Sequence, residues 1–215
     1  MTITITLIII IVTCAISIPA FTNPKIIDDL IFDPPAITYR RQYYRFFTCG
    51  FIHANFMHLG FNMYSFWIFG GYVENQFLWT FGPSGKWLYL LMYVSSLFFC
   101  LLPTYAKNKE NYNYRSLGAS GAVSAVVFAF IFFNPTRSIG LIFIPGYGIP
   151  GFVFGILYLV ISSILDRRGG GNINHSAHIY GALYGVSFLI VAGSVLSDHN
   201  LLQEFVQQIK SKLNL

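Results

Sequence analysis

Three clusters of polar and small residues interrupt apolar stretches of this 215-residue chain. Their sequences are HANFMHLGFN (His53 to Asn62), GASG (Gly118 to Gly121) and HSAHIYGALYG (His175 to Gly185). An unpaired polar side chain among apolar groups costs several kcal/mol, so such residues are rare unless they have a partner or a task. Each cluster is therefore a candidate part of a functional site.

A serine and a histidine from two of these clusters are suited to nucleophilic catalysis. Ser120 stands between Gly118 and Gly121, where the backbone can approach another segment and a helix can begin. The first turn of a helix offers unpaired N–H groups and a partial positive charge. A neutral imidazole, such as that of His178, beside a serine hydroxyl is the minimal activated nucleophile. The two residues therefore predict a serine nucleophile with a histidine base.

Small residues near this pair favour close contact between the two segments that carry it. Gly181 and Gly185 share the helical register of His178. Gly121 and Ala125 form a matching small pair just after the serine. Small residues four apart allow two helix backbones to pack closely in a membrane. Such packing would bring the serine within reach of the histidine.

The first cluster supplies groups that can stabilise negative charge. His58 and Asn62 are four residues apart and so lie on one face of a helix. Both can donate hydrogen bonds to a developing oxyanion, as can the backbone N–H of Ser120. No carboxylate is placed to complete a triad, because Glu74 lies far along the same helix and the other acidic residues fall in loops or the tail. Catalysis would therefore use a Ser–His dyad.

The composition excludes several classes of protein. Hydrophobic residues make up 55% of the chain and charged residues 10%, against roughly 25% charged residues in an average soluble domain. With a mean hydropathy of +0.60, the chain cannot be an ordinary cytosolic enzyme or a disordered protein. The net charge of +5 forms no basic stripe, which argues against nucleic-acid binding. The three cysteines fit neither a disulfide framework nor a metal site.

The apolar runs predict an all-α polytopic membrane protein. A bilayer core is crossed by a helix of roughly 20 apolar residues. Six such runs make up a six-helix membrane domain over residues 1–197, and they cover about 2–19, 59–79, 87–102, 118–133, 150–165 and 177–196. The first run lacks a preceding basic region and is interpreted as a retained helix, the alternative being a signal peptide. Residues 198–215 have apolar side chains at helical spacing and predict an amphipathic surface helix.

The segment of about 20–57 between the first two spans is too polar to cross the membrane and too apolar for a free linker. It combines prolines and arginines with many aromatic side chains. Aromatic rings favour the headgroup region of a bilayer. We therefore expect a loop that lies in the membrane interface.

The order of the spans places the three clusters together. With six spans joined by short hairpins, the second, fourth and sixth cross the membrane in the same direction. Each cluster occupies the first third of its span. All three are therefore expected at similar depth near one membrane face, where they can form one site.

At these residues the sequence resembles the rhomboid intramembrane serine proteases. The similarity comprises HANFMHLGFN, GASG and AHIYGALYG in this order, and it extends from about Tyr44 to Ala192. Tyr44-Arg45 resembles the Trp-Arg motif of the family, with tyrosine in place of tryptophan, and Glu74 falls where the family has a glutamate.

The resemblance implies a role for each of these residues. Ser120 would be the nucleophile and His178 the general base and acid, while His58, Asn62 and the Ser120 amide would stabilise the oxyanion. The residues that would support the site structurally are Gly118, Gly121, Gly181, Gly185, Arg45 and Glu74. Glu74 is expected to brace the interfacial loop and the second span. No metal or other cofactor is implied. One departure is Ser124, which stands where many members have an aromatic ring that supports the histidine.

The implied substrates are transmembrane proteins, cut in or near their membrane-spanning segments through an acyl-enzyme. The family also implies a bacterial inner-membrane location, an active site facing the extracytoplasmic side, and a fifth span that moves laterally to admit substrate. The cation count opposes this orientation, because 4 of the Lys and Arg residues would lie inside and 9 outside. The bilayer is a partner, nucleic acid is not, and the sequence leaves the oligomeric state open.

Two other functions are compatible with a chain of this kind. A non-catalytic rhomboid-like protein would bind membrane clients, but it should lack the serine or the histidine. A transporter or proton relay could use the intramembrane histidines and Asn62, but such proteins commonly show internal repeats, and none is visible. Outside the dyad, His53 is expected to hold the interfacial loop and His175 to lie at the wet mouth of the site.

Overall fold

The computed structural model describes residues 3–141, 144–169 and 173–215, and these residues form mainly helices. The long helices are α1 (Ile5–Ala20), α5 (Phe56–Phe81), α6 (Gly85–Phe99), α8 (Ser120–Phe133), α9 (Gly151–Arg168) and α10 (His175–Leu196), and the short ones between α1 and α8 are α2 (Pro24–Leu30), α3 (Pro34–Arg40), α4 (Arg45–Thr48) and α7 (Leu102–Asn108). The amphipathic tail forms α11 (Leu201–Leu213). The helical fold class predicted from the sequence is confirmed.

Side-chain caps determine where the helices of the site begin. The Asn55 side chain accepts a hydrogen bond from the His58 N–H at the start of α5. The Asn174 side chain does the same for the Ala177 N–H at the start of α10. Such caps satisfy donors that the first turn leaves unpaired. The polar clusters of both helices therefore begin at a defined depth.

Helix α8 lies at the centre of the bundle and packs against α5, α6, α9 and α10. Nearly all its residues are buried, and its contact with α10 is the most extensive between helices. Around it, the aromatic side chains of Phe66, Phe77, Tyr89 and Tyr93 fill the core. A helix that is apolar on every side is typical of a position surrounded by other helices. The serine at the start of α8 is therefore fixed within the bundle.

The segment expected as an interfacial loop is largely helical. Asn23 and Asp33 cap α2 and α3 through their side chains, and each is followed by a proline at the first helical position. This arrangement favours helix initiation because proline needs no hydrogen-bond partner there. A short 3₁₀ turn, Cys49–Phe51, leads from α4 towards α5. The segment is thus an ordered layer of short helices at one end of the bundle.

The approach to α9 contains two antiparallel strands, β1 (Ser138–Leu141) and β2 (Ile144–Pro150), which the sequence did not predict. Ser138 pairs with Pro150 at the open end of the ladder. The break expected between α9 and α10 includes residues 170–172, which lie outside the described residues. Helix α9 itself continues to Arg168, beyond the predicted end of the fifth span.

The outer surface of the helices is apolar, as lipid contact requires. Large exposed side chains include Trp67, Trp79 and Val195. The stretches Phe56–Asn108 and His175–Leu196 are helical, long and apolar enough to cross a bilayer, and Ile5–Ala20 and Ser120–Phe133 are shorter apolar helices. The protein is a helical polytopic membrane protein, while the number of six spans stays a prediction.

Candidate active site

Ser120 is the first residue of α8, at the helix end that carries unpaired N–H groups. The chain reaches it through Gly118, whose φ of +115° is a conformation that residues with a side chain rarely adopt. A Cβ at Gly118 would also lie 2.7 Å from Cε1 of His58. The glycine therefore serves both the turn and the close approach of the imidazole.

His178 faces Ser120 from the first turn of α10. Its Nε2 lies 2.7 Å from the Ser120 Oγ, which is within hydrogen-bond distance. Both side chains are half-buried. With the hydroxyl donating to Nε2, the ring proton of a neutral imidazole lies on Nδ1. The structure thus brings together the two residues that the sequence predicts as a dyad.

Glycines make this approach of α8 and α10 possible. A Cβ added at Gly185 would overlap the carbonyl oxygen of Ala125. One turn closer to the site, Gly121 of α8 lies against the backbone of Gly181 in the same way. Backbone-to-backbone packing of this kind shortens the distance between two helix axes. The four small residues predicted to mediate the contact all lie within it.

His58 faces the loop before Ser120, and Asn62 follows it one turn later on the same face of α5. The Nδ1 of His58 accepts a hydrogen bond from the Ala54 N–H at 3.4 Å, so Nε2 carries the ring proton. That Nε2 would lie 2.9 Å from a Cβ placed at Gly118. Asn62 Nδ2 donates one hydrogen to the His58 carbonyl oxygen at 2.9 Å and has a second one available. The His58 donor therefore lies against the loop that leads to the nucleophile, and the free hydrogen of Asn62 is one helical turn away.

His53 connects the loop before Ser120 to α1. Its ring is fully buried, Nε2 accepts from the Ala119 N–H at 3.3 Å, and Nδ1 lies 3.2 Å from the Ser17 Oγ. Since Nε2 is an acceptor, Nδ1 carries the proton and donates to Ser17. Burial, together with the smaller effect of the neighbouring His58, lowers the pKa of His53 to about 3. The neutral imidazole thus holds the residue that precedes the nucleophile.

Arg45 fixes the layer of short helices beside the site. Its guanidinium is buried and donates to the carbonyl oxygens of Asp28 and Ile31, each at 2.8 Å, and to the Gln42 side chain. Since these carbonyl groups lie near the end of α2 and just beyond it, one side chain satisfies acceptors that the helix leaves free. Arg45 therefore contacts no member of the dyad and supports the segment through the backbone.

Glu74 does not brace the interfacial segment as expected from the sequence. Its carboxylate accepts hydrogen bonds from the N–H groups of Ile5 and Thr6 and from the Thr6 hydroxyl, at 2.8–2.9 Å. A negative charge is favourable at a helix N-terminus. Glu74 therefore fastens the start of α1 to α5.

One residue beside the dyad was not assigned a role by sequence reasoning. The ring of Tyr158, in α9, stacks beside that of His178, and its hydroxyl group lies 2.7 Å from the Ser124 Oγ. The available signal was a single hydroxyl group in the otherwise apolar first part of the span, residues 151–161. His175, which the sequence analysis expects at the mouth of the site, packs edge-on against His178 with ring centroids 5.8 Å apart. Among the described residues, no cluster of three or more His, Cys, Asp or Glu side chains is placed to hold a metal ion.

The part of the chain that carries the candidate active site matches a known protein family. Residues 40–194 match the Rhomboid domain, a stretch that includes His58, His178, Asn62, Ser120 and the glycines of the α8–α10 contact. The chain belongs to the rhomboid family. A comparison with curated proteins finds no match.

Membership of the rhomboid family assigns a broad activity. The family comprises intramembrane proteases, which are hydrolases that act on membrane-protein substrates in the bilayer. The apolar helices agree with this, because they make the chain a membrane protein. The resemblance stated from the sequence motifs is confirmed.

Proposed function

We propose that this rhomboid protein is a serine endopeptidase that cuts transmembrane proteins in or near their membrane-spanning segments. The 2.7 Å contact between Ser120 Oγ and His178 Nε2 carries the proposal. It joins a hydroxyl to an imidazole at a helix N-terminus inside an apolar bundle. Packing alone does not favour such a pair, because burying polar groups among apolar ones is costly.

The reaction begins with attack of the Ser120 Oγ on a carbonyl carbon of the substrate. His178 Nε2 takes the hydroxyl proton as the bond forms. The negative charge that develops on the carbonyl oxygen is stabilised by the Ser120 N–H, the His58 Nε2–H and the free hydrogen of Asn62. His178 then returns the proton to the leaving amine, and the peptide bond breaks to give an acyl-enzyme.

A water molecule completes the cycle by hydrolysing the ester on Ser120. A small cavity of about 20 Å³ borders Ser120, with Ser116 and Asn174 among its other lining residues. This volume is enough for one water molecule when polar partners are present. His178 Nε2 takes a proton from the water that attacks the ester carbon, and it returns the proton to Ser120 Oγ as the ester bond breaks and the carboxylic acid product leaves.

The dyad acts without a carboxylate partner in this proposal. The buried carboxylate of Glu74 is engaged by α1 and does not contact His178. The substrate helix has to unwind locally, because a helical carbonyl is already hydrogen-bonded and shielded. Lateral movement of α9 would open a path for it. A bacterial inner membrane, with the site facing the extracytoplasmic side, is part of the proposal.

The test uses a fluorophosphonate probe and a fluorogenic transmembrane peptide, with the purified protein in detergent and in liposomes. Wild type should be labelled and should cut the peptide, whereas Ser120→Ala should do neither. His178→Ala should lose both activities almost completely. Ser194→Ala is the matched control, since this serine is exposed on α10 and should leave labelling unchanged.

Two results would overturn the proposal. Labelling that persists in Ser120→Ala would place the nucleophile elsewhere. A folded wild-type protein that binds transmembrane peptides but is neither labelled nor active would favour the non-catalytic alternative.

A further inference from the structure

The ring of Tyr158 lies beside the imidazole of His178. Their centroids are 6.3 Å apart and the ring planes differ by 28°. Tyr158 comes from α9 and His178 from α10, so the contact joins two helices. The tyrosine ring also packs against the rings of Phe128 and Phe154, at centroid distances of 5.4 and 6.1 Å, and these contacts hold it in place.

The hydroxyl group of Tyr158 is fixed by a chain of hydrogen bonds that ends at the nucleophile. Ser124 Oγ donates to the Ser120 carbonyl oxygen at 2.8 Å, which uses its only hydrogen. The Tyr158 hydroxyl, 2.7 Å from Ser124 Oγ, is therefore the donor in that contact. Tyr158 is thus connected to Ser120 through hydrogen bonds and to His178 through its ring.

His178 has few other groups to orient it. Within the described residues, the one side-chain hydrogen bond of its ring is the bond that Nε2 accepts from Ser120. In the part of the chain that the structure describes, no carboxylate contacts it, and His175 approaches only edge-on. The direction of Nε2 therefore depends on how the imidazole plane is packed.

We propose that Tyr158 is a positioning residue that orients His178 from α9. Its ring limits rotation of the imidazole, and the hydrogen bond to Ser124 fixes the ring. The small side chain at position 124 leaves room for a ring from the neighbouring helix. An outward movement of α9 would withdraw this support, so the dyad is fully aligned only when α9 is packed against α10. The inference rests on the proposed peptidase function.

The experiment compares Tyr158→Leu and Tyr158→Phe with Tyr180→Leu, an exposed tyrosine on the helix of His178. Two rates are measured for each, namely cleavage of a transmembrane peptide, with kcat and KM separated, and labelling by a small fluorophosphonate. Loss of the ring should lower kcat and the labelling rate by about three- to tenfold, the size of one aromatic contact, with KM little changed. Tyr158→Phe should lower kcat and the labelling rate less than Tyr158→Leu does, and Tyr180→Leu should have the wild-type rates.

A rescue variant separates positioning from general loss of packing. Ser124→Tyr combined with Tyr158→Leu moves the ring from α9 to α8, and it should restore much of the labelling rate. Thermal unfolding of each variant is measured in parallel. If Tyr158→Leu does not fold, Tyr158→Phe and the double variant decide the question.

The measurements test the positioning role of Tyr158 and the proposed peptidase function separately. Cleavage that falls while fluorophosphonate labelling stays at the wild-type rate would mean that Tyr158 acts on substrate entry, and this would overturn the inference. Equal rates for Tyr158→Leu and Tyr180→Leu would overturn it as well. The peptidase function itself fails only if wild type is inactive or if its labelling does not depend on Ser120.

Discussion

Gly181 of α10 lies directly against the backbone of Gly121 in α8, and a Cβ at Gly181 would overlap the Gly121 carbonyl oxygen. Gly121 is the residue after Ser120, and Gly181 is one turn beyond His178. The spacing of the two helices at this point therefore sets the distance across the dyad.

Gly181→Ala should separate the helices and weaken the fold. The rigid backbone opposite cannot move aside, so we expect a loss of about 1–3 kcal/mol in the free energy of unfolding, as for other overpacked sites. Cleavage should fall strongly even at temperatures where the variant is folded. Gly71→Ala in α5 is the control, because a Cβ there meets nothing within 4 Å. Equal unfolding temperatures and equal rates for the two variants in detergent would contradict the prediction.

Asn62→Ala should lower kcat by about 10²–10³, the usual effect of removing one oxyanion donor, with little change in stability. Asn75→Ala is a close match for the control, because its Nδ2 also donates to the carbonyl four residues earlier on the same helix. His58→Ala should behave like Asn62→Ala. Steady-state cleavage of a transmembrane peptide measures the effect, and wild-type kcat in Asn62→Ala would remove this residue from the oxyanion site.

Glu74→Gln should destabilise the protein and leave the chemical step nearly unchanged. The carboxylate accepts three hydrogen bonds from the start of α1, and an amide has only one oxygen to offer. We expect a loss of about 1–3 kcal/mol in the free energy of unfolding, since buried donors are left unpaired. Glu204→Gln, a half-exposed position in α11 whose carboxylate contacts only His199 among the described side chains, should have a smaller effect. Thermal unfolding and kcat are measured on the same variants. A fall in kcat without a loss of stability would contradict the prediction.

His53 should make the protein sensitive to acid. Burial holds the pKa of its folded-state imidazole at about 3, while an unfolded chain has a value of about 6.5. Between these values the unfolded chain binds a proton that the folded protein does not, so the free energy of unfolding falls as the pH is lowered from about 6.5 towards 3.

The variant that tests this is His53→Gln, whose amide retains a donor and an acceptor. Its unfolding temperature should fall less than that of wild type when the pH changes from about 7 to about 4. The control is His199→Gln, in the segment before α11, whose unfolding temperature should fall by nearly as much as that of wild type over the same pH change. An identical pH dependence in wild type and His53→Gln would show that His53 is not the source.

Residue pattern alone was sufficient for the helical membrane fold and for the family. A membrane span is visible in sequence as a run of apolar residues, because the bilayer core disfavours polar side chains. Such a run is helical because lipid requires every backbone group to be satisfied within the segment. The motifs around Ser120, His178 and Asn62 are equally local, since each lies within a single helical stretch. The caps at Asn23 and Asp33 were also available in the sequence, and they account for the helices found where a loop was expected.

Tertiary packing decided which side chains meet across helices. Glu74 is a single carboxylate with no local partner, and only the packing of α1 on α5 placed the Ile5 and Thr6 donors beside it. In the sequence, Tyr158 is one residue of an apolar span, and no local motif connects it with His178. Its position beside His178 depends on how α9 is rotated against α8 and α10, and helix rotation is set by the summed fit of many side chains that no single motif records.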